Sequence, residues 1–202
     1  MLRPLFLAFI VLVFSAVSAS ATTLGFTPVK CSKSATECGS LGSQLSVELV
    51  PSTPGKVSFI LRNTGTESLN ATSIFFDDNA DVLADLFDVT DPAGVDFAEG
   101  GKPENLKSGK KIGFLADFVA NAAKPTKDNG VNPGESVQIN FTLLGSHTLA
   151  DVQAALESGD LLVGVNAKQG FVSANGTVPE PAMGMLLALG GLAAAAWASR
   201  RS

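Results

Sequence analysis

The sequence predicts a mainly β protein, an antiparallel β-sandwich of immunoglobulin-like or jelly-roll-like type with one short helix. Apolar and polar residues alternate in KVSFILR at 56–62 and in SVQINFTLL at 136–144, which is typical of strands with one buried face. QLSVELV at 44–50 and SLNATSIFF at 68–76 alternate less regularly. Segments rich in Pro, Gly, Asn and Ser separate these runs, and short strands joined by such turns indicate a sandwich.

One helix is predicted in HTLADVQAALESGD at 147–160. Thr148 is a suitable N-cap, and Asp151 stands three residues later as its partner in a capping box. The apolar residues at helical spacing are Leu149, Val152, Ala155 and Leu156, and they form the stripe that faces a core. Gly159 is placed to end the helix, and the predicted strand LLVGVNA follows at 161–167.

The middle of the chain has less regular patterns. ADVLADLFDV at 80–89 fits a second short helix or a turn, and KKIGFLADFVA at 110–120 fits one more strand. The surrounding stretch from Thr90 to Glu135 is rich in loops. Its lysines are Lys102, Lys107, Lys110, Lys111, Lys124 and Lys127. They fit either a solvated surface or contact with an acidic polymer.

The N terminus predicts export. Arg3 is the only charge in residues 1–21, an apolar run spans 5–17, and Ala19 and Ala21 precede a cleavage site before Thr22. This order is that of a signal peptide, so we expect the Sec translocon and signal peptidase as partners. The exported domain is then residues 22–177, long enough to bury a core.

The charge of this domain argues against nucleic acid as a partner. The whole chain has 14 basic and 19 acidic residues. Removal of Arg3, Arg200, Arg201 and Glu180 with the two ends leaves 11 basic and 18 acidic residues, a net charge of −7. Nucleic-acid binding requires a basic surface. An acidic exported domain stays soluble and attracts cations.

The two cysteines predict a disulfide. Cys31 and Cys38 lie in CSKSATEC with six residues between them, and export implies an oxidising compartment. A redox pair favours CxxC spacing, and a metal site requires further ligands nearby. We therefore expect the Cys31–Cys38 disulfide to close a small N-terminal loop.

Acidic residues cluster in FFDDNADVLADLFDVTD at 75–91. Asp77, Asp78, Asn79 and Asp81 fall within five residues, directly after a predicted strand. Calcium takes about six to eight oxygen ligands, and closely spaced Asp and Asn side chains supply several of them. The spacing departs from an EF-hand loop, and turn-forming Asp and Asn are also typical of solvated loops. A calcium site and a solvated acidic loop are both kept, and no other cofactor is expected.

Catalytic motifs are absent from the sequence. His147 is the one histidine and precedes the predicted helix, so a Ser-His-Asp triad or a histidine-based zinc site has little support. No GxSxG, HExxH or phosphate-binding glycine loop occurs. We therefore expect a protein that is not an enzyme. A hydrolase that uses two carboxylates stays open, because their separation is a property of the folded chain.

The C terminus has three parts within residues 178–202. Pro179, Glu180 and Pro181 come first and are not helical. An apolar stretch without charge then spans 182–198, a transmembrane helix about 25 Å long. Arg200 and Arg201 follow and favour the cytoplasmic side of the membrane.

This order closely resembles the PEP-CTERM sorting signal of Gram-negative bacteria. The resemblance implies recognition by an exosortase, a membrane cysteine transpeptidase or protease that cleaves near the motif. Pro179, Glu180, Pro181, Arg200 and Arg201 are recognition residues in this comparison, and the catalytic residues belong to the exosortase. It also implies transient anchoring in the inner membrane, then delivery to the cell surface or the medium, often in bacteria that make extracellular polysaccharide. The body resembles other proteins with such tails more loosely.

Two further interpretations compete with a non-enzymatic surface or matrix protein associated with exopolysaccharide or biofilm. One is a calcium-assisted carbohydrate-binding or adhesive module, which depends on the residues from Asp77 to Asp81. The other is a secreted hydrolase with paired carboxylates. Fold class alone separates none of the three.

Overall fold

The computed structural model describes residues 22–29, 34–100, 105–167 and 170–173. Ten strands dominate these residues: β1 Thr22–Pro28, β2 Leu45–Pro51, β3 Lys56–Asn63, β4 Ser73–Asp78, β5 Leu83–Thr90, β6 Phe97–Glu99, β7 Phe118–Ala122, β8 Ser136–Leu143, β9 Leu161–Asn166 and β10 Gly170–Ser173. The α-helices are α1 Ala35–Gly42, α2 Thr126–Asn129 and α3 Leu149–Ser158, and a 3-10 helix spans Gly109–Ile112.

The strands form one antiparallel sheet in the order β5-β8-β3-β2-β1-β10-β9-β4-β7-β6. Strand β1 joins its two halves: Thr22 to Gly25 pair with β2, and Phe26 to Pro28 pair with β10. The sheet curls until its edge strands approach each other, so it is nearly closed into a barrel. The mainly β, antiparallel prediction is confirmed, and the sheet is continuous through β1.

Aromatic rings fill the space between the two halves of the sheet. Phe59 of β3 and Phe141 of β8 face Phe76 of β4 and Phe118 of β7. The ring of Phe141 lies edge to face against the other three, with centroid distances of 5.8, 4.7 and 5.2 Å to Phe59, Phe76 and Phe118. Edge-to-face pairs of this kind add stability beyond simple burial.

A second, smaller core covers the outer face of β4, β7 and β9. Leu106 and Phe114, on either side of the 3-10 helix, pack with Phe75 and Val119. Gly164 of β9 permits this close approach, because a Cβ at that position would lie 2.8 Å from the Phe114 ring. The loop-rich segment before β7 is therefore part of the folded body.

Helix α3 forms as the sequence predicts. Asp151 accepts a hydrogen bond of 2.7 Å from the Thr148 backbone N–H, which completes the capping box. Gly159 follows the helix in the left-handed conformation, at φ 83°. Val152, Ala155 and Leu156 are buried, so the predicted stripe does face the core, and β9 begins directly afterwards.

Two predictions from the middle of the chain are wrong. Residues 80–89 contain most of β5 and no helix, because β5 pairs with β8 through two irregularities in register. The segment 110–120 is not one strand, since the 3-10 helix precedes β7. The expectation of one helix also fails. Helix α1 has its own capping box between Ser34 and Glu37, and α2 adds one short turn.

The antiparallel register gives the sheet two distinct ends. We call the end where β1 begins the basal end; it carries the loops 52–55, 79–82 and 144–160. The opposite, distal end carries the loops 64–72, 91–96 and 123–135. Strands β1 and β9 run from basal to distal, and β10 runs back.

Candidate functional site

The predicted calcium ligands lie at the basal end, where β4 stops. Asp77 and Asp78 are its last two residues and are 2% and 6% exposed. Successive strand residues point to opposite faces of a sheet, so the two carboxylates diverge. Asp77 Oδ2 accepts a hydrogen bond of 2.9 Å from the Leu115 N–H, and Asp78 Oδ2 accepts one of 2.7 Å from the Leu83 N–H. Each carboxylate fastens a different segment to the end of β4.

The other two predicted ligands belong to the turn after β4. Asn79 donates a hydrogen bond of 2.8 Å from Nδ2 to Asp77 Oδ1. Asp81 is exposed, has a positive φ of 51°, and its N–H donates to the Asp78 carbonyl at 3.3 Å. Asp and Asn are suited to such turns because they tolerate the left-handed conformation.

Sequence patterns missed a third carboxylate at this end. Asp117 Oδ2 accepts a hydrogen bond of 2.8 Å from the Asp78 N–H. Burial raises the pKa of Asp77 and of Asp78 above the ordinary value, and the nearby Asp117 charge raises both further, whereas backbone N–H donors act in the opposite direction. Asp117 lies 39 positions from Asp78 in the chain, so only the pairing of β4 with β7 brings it there.

The calcium interpretation requires several acidic side chains around one point. In the part of the chain that the structure describes, no group of three or more His, Cys, Asp or Glu side chains is arranged to hold a metal ion. The hydrogen bonds of Asp77 and Asp78 instead connect the end of β4 to the segment at Leu115 and to the start of β5 at Leu83. The calcium site and the solvated acidic loop therefore remain alternatives, and a calcium titration distinguishes them.

A gap between the edge strands contains two further acids. Residues from β5 and β6 line a cavity of about 240 Å³, and Asp88 and Glu99 are among them. Asp88 Oδ2 accepts hydrogen bonds from Asn140 Nδ2 at 3.1 Å and from Thr90 Oγ1 at 3.4 Å. Asp88 therefore also ties β5 to β8. This is the place where the hydrolase interpretation is testable.

A cavity lined by two lysines lies at the distal end. We call it the lysine pocket, and its volume is about 390 Å³. It is lined by Ser68, Asn70, Thr72, Lys107, Thr126, Lys127 and Ala167. Two ammonium groups and three hydroxyl groups suit an anionic, hydroxyl-rich ligand. In the sequence, Lys107 and Lys127 are two of six lysines between Thr90 and Glu135. Only the fold shows that these two share a cavity.

The predicted disulfide falls partly outside the described residues. Cys38 is buried in α1, at the distal end, where α1 packs against β1. Cys31 lies outside the described residues, so the pairing stays a prediction.

The signal peptide at 1–21 and the sorting residues Pro179, Glu180, Pro181, Arg200 and Arg201 also lie outside the described residues, as does the predicted transmembrane helix at 182–198. Between Thr22 and Ser173, the described residues include no helix with the length and apolar character needed to cross a membrane.

Comparison with known proteins identifies the C-terminal segment. Residues 177–201 match the family model of the PEP-CTERM protein-sorting motif. No curated protein and no solved structure is significantly similar to the chain. The match spans the Pro-Glu-Pro sequence, the apolar stretch at 182–198 and the arginine pair. The chain therefore carries a PEP-CTERM protein-sorting motif at its C terminus, as an exported exosortase substrate does.

Proposed function

We propose that this chain is a non-enzymatic protein of the cell surface or extracellular matrix, released through its tail by an exosortase and associated with exopolysaccharide or biofilm. The observation that carries the proposal is the sorting motif at 177–201. The motif implies export and a membrane-anchored intermediate. The predicted signal peptide at 1–21 supplies the route through the Sec translocon and signal peptidase.

Intact mass of the released protein tests the sorting step. We expect a product that begins at Thr22 and ends near Pro181, in cells that contain the exosortase. In cells without the exosortase, the chain should remain in the membrane fraction at the mass of residues 22–202. A released product that still contains Trp197 contradicts the proposal, because the apolar stretch would then be a permanent part of the protein.

The lysine pocket supports contact with an acidic polysaccharide. Lys107 and Lys127 both line the pocket, although the domain as a whole has a net charge of −7. The pocket is therefore a basic site on an acidic protein. Ser, Thr and Asn side chains beside the lysines supply partners for sugar hydroxyl groups. A carboxylated sugar residue fits this combination better than a neutral one.

A paired binding experiment tests this contact. We expect the exported domain to bind alginate, a uronic-acid polysaccharide, and to bind neutral dextran more weakly. The double variant Lys107→Gln/Lys127→Gln should lose alginate binding, whereas Lys110→Gln/Lys111→Gln removes the same charge outside the pocket and should retain it. Binding should weaken with salt, since ion pairs near a surface are screened. Equal loss in the two double variants contradicts a role for the pocket.

A non-enzymatic role is supported by the absence of catalytic sequence motifs. The test is incubation of the domain with alginate and with peptidoglycan, followed by chromatography of the products. We expect no cleavage. Cleavage that disappears in Asp88→Asn or Glu99→Gln would establish the hydrolase interpretation instead.

A further inference from the structure

The mature N terminus is fixed at the basal end of the fold. Thr22, the first residue after the predicted signal-peptide cleavage, is the first residue of β1 and is 7% exposed. It pairs with Leu49 of β2, and its Oγ1 accepts a hydrogen bond of 2.9 Å from Gln153 Nε2 of α3. No spacer separates the cleavage site from the folded sheet.

Ser173, the last described residue, is also buried in the sheet, and strand β10 runs toward the basal end at this point. Ser173 pairs with Phe26 of β1, is 4% exposed, and accepts a hydrogen bond of 3.0 Å at Oγ from the Val163 N–H. Because β10 is antiparallel to β1, the chain at Ser173 heads back toward the level of Thr22. Ser173 lies at the level of Phe26, nearer the distal end of β1, and the strand there runs in the basal direction.

The distance to the sorting motif is short. Pro179 is six residues after Ser173, so a fully extended chain reaches about 20 Å. Thr22 lies four residues below Phe26 along β1, a distance of about 13 Å. The motif therefore extends at most about 7 Å beyond Thr22. Pro51 is two residues further toward the basal end than Leu49, the partner of Thr22, so it also lies about 7 Å beyond Thr22.

We propose that the domain stands with its basal end against the membrane, and that its short tether holds the sorting motif level with the basal loops. The peptidase must then contact this end of the fold to reach the motif. The inference rests on the proposed sorting function and adds an interaction surface to it. In this orientation, the lysine pocket at the distal end points away from the membrane toward the matrix.

Exposed apolar side chains at the basal end fit this orientation. Leu115 and Leu144 are 62% and 45% exposed. The Leu115 N–H donates a hydrogen bond to Asp77 and the Leu144 N–H donates one to the Val82 carbonyl, so both residues lie at the basal end. Exposed apolar side chains at this end fit contact with a membrane surface.

The tether length is the first test. Deletion of residues 174–176, which lie outside the matched motif, shortens the reach by about 10 Å. We expect release in exosortase-containing cells to fall about tenfold or more, because part of β10 must detach before the motif clears the fold. Replacement of 174–176 by Gly-Ser-Gly keeps the length and should leave release unchanged. The proposal is overturned if the deletion variant is released as efficiently as the wild type. It is also overturned if the Gly-Ser-Gly replacement variant is no longer released.

Two controls separate this inference from the sorting function. The variant Pro179→Ala/Pro181→Ala should block release at any tether length; if it is released normally, the sorting function itself fails. The urea midpoint of the deletion variant should equal that of the wild type, since Ser173 and all its partners are retained.

Chemical accessibility provides an independent test of the orientation. Thr53→Cys in a basal loop and Ala93→Cys in a distal loop are both at exposed positions. In cells that lack the exosortase, a bulky polyethylene-glycol maleimide should modify Ala93→Cys several-fold faster than Thr53→Cys. The detergent-solubilised protein should show equal rates at the two positions. Equal rates in the membrane overturn the proposed orientation.

Discussion

Replacement of Phe141 tests whether the aromatic cluster is the main stabilising contact between the two halves of the sheet. The ring is fully buried and has three edge-to-face partners, on β3, β4 and β7. Truncation of a buried Phe to Ala costs about 3–5 kcal/mol. The total stability of a domain is about 5–15 kcal/mol, so Phe141→Ala is expected to remove a large part of it.

Phe141→Leu is the more informative change. Leucine restores most of the buried apolar volume but removes all three ring–ring contacts, each worth about 0.5–1.5 kcal/mol beyond area burial. New dispersion contacts of the leucine offset part of this loss. We therefore expect the free energy of unfolding to fall by about 2 kcal/mol. Phe87→Leu is the matched control: Phe87 is 40% exposed and its ring contacts the Lys56 ammonium at 4.2 Å, so the loss should stay below about 1 kcal/mol.

Urea unfolding followed by far-UV circular dichroism measures both variants. The chain has no tyrosine, and its single tryptophan is in the tail, so fluorescence does not report on the core. A double-mutant cycle of Phe141→Leu with Phe76→Leu should give a coupling of about 0.5–1.5 kcal/mol. The reasoning is refuted if Phe141→Leu costs no more than Phe87→Leu, or if the coupling is zero.

Three further predictions concern the acidic cluster and the cysteines. Because burial raises the Asp77 pKa above 3.8, the native state binds more protons than the unfolded state, and this contribution to stability is lost as pH rises from 3.8 through the raised pKa. In urea titrations across that range, Asp77→Asn should show a shallower decline than the wild type; an unchanged slope contradicts the assignment. Added calcium should leave the melting temperature unchanged, since Asp77 and Asp78 already accept backbone hydrogen bonds; an upward shift would establish a site. Cys31→Ser/Cys38→Ser should lower stability by about 2–3 kcal/mol, as expected for a disulfide that closes a loop of this size, and a variant as stable as the wild type would show that no stabilising disulfide forms.

The strands with one uniform face were predictable from sequence. Val57, Phe59 and Leu61 of β3 are all buried, because a sheet that packs on one side imposes a period of two. The polar face of β8 was not predictable in detail. Asn140 is 6% exposed, since it accepts a hydrogen bond of 2.6 Å from Ser58 on β3 and donates one of 3.1 Å to Asp88 on β5. This burial requires both neighbouring strands, which local sequence does not reveal.

Strand β5 shows why a helical pattern was misleading. Its register shifts between Leu83 and Asp85 and again between Leu86 and Asp88. Each irregularity adds one residue opposite β8, so the buried residues Leu83 and Leu86 are three apart instead of two. A spacing of three lies close to the helical period of 3.6. Local periodicity therefore did not distinguish a twice-bulged edge strand from a short helix.

The candidate sites also differ in how far they could be predicted from sequence, because local sequence does not show which distant segments come together. The sorting motif was predictable because its parts are contiguous and are recognised in order along the chain. The acidic cluster was predictable in position but not in geometry, since strand alternation sends Asp77 and Asp78 to opposite faces. The lysine pocket required the whole fold: Lys107 and Lys127 come from loops on either side of β7 and meet residues before β4 and after β9. The contiguous signal on the tail is therefore visible in the sequence, whereas a surface assembled from distant segments is visible only in the folded chain.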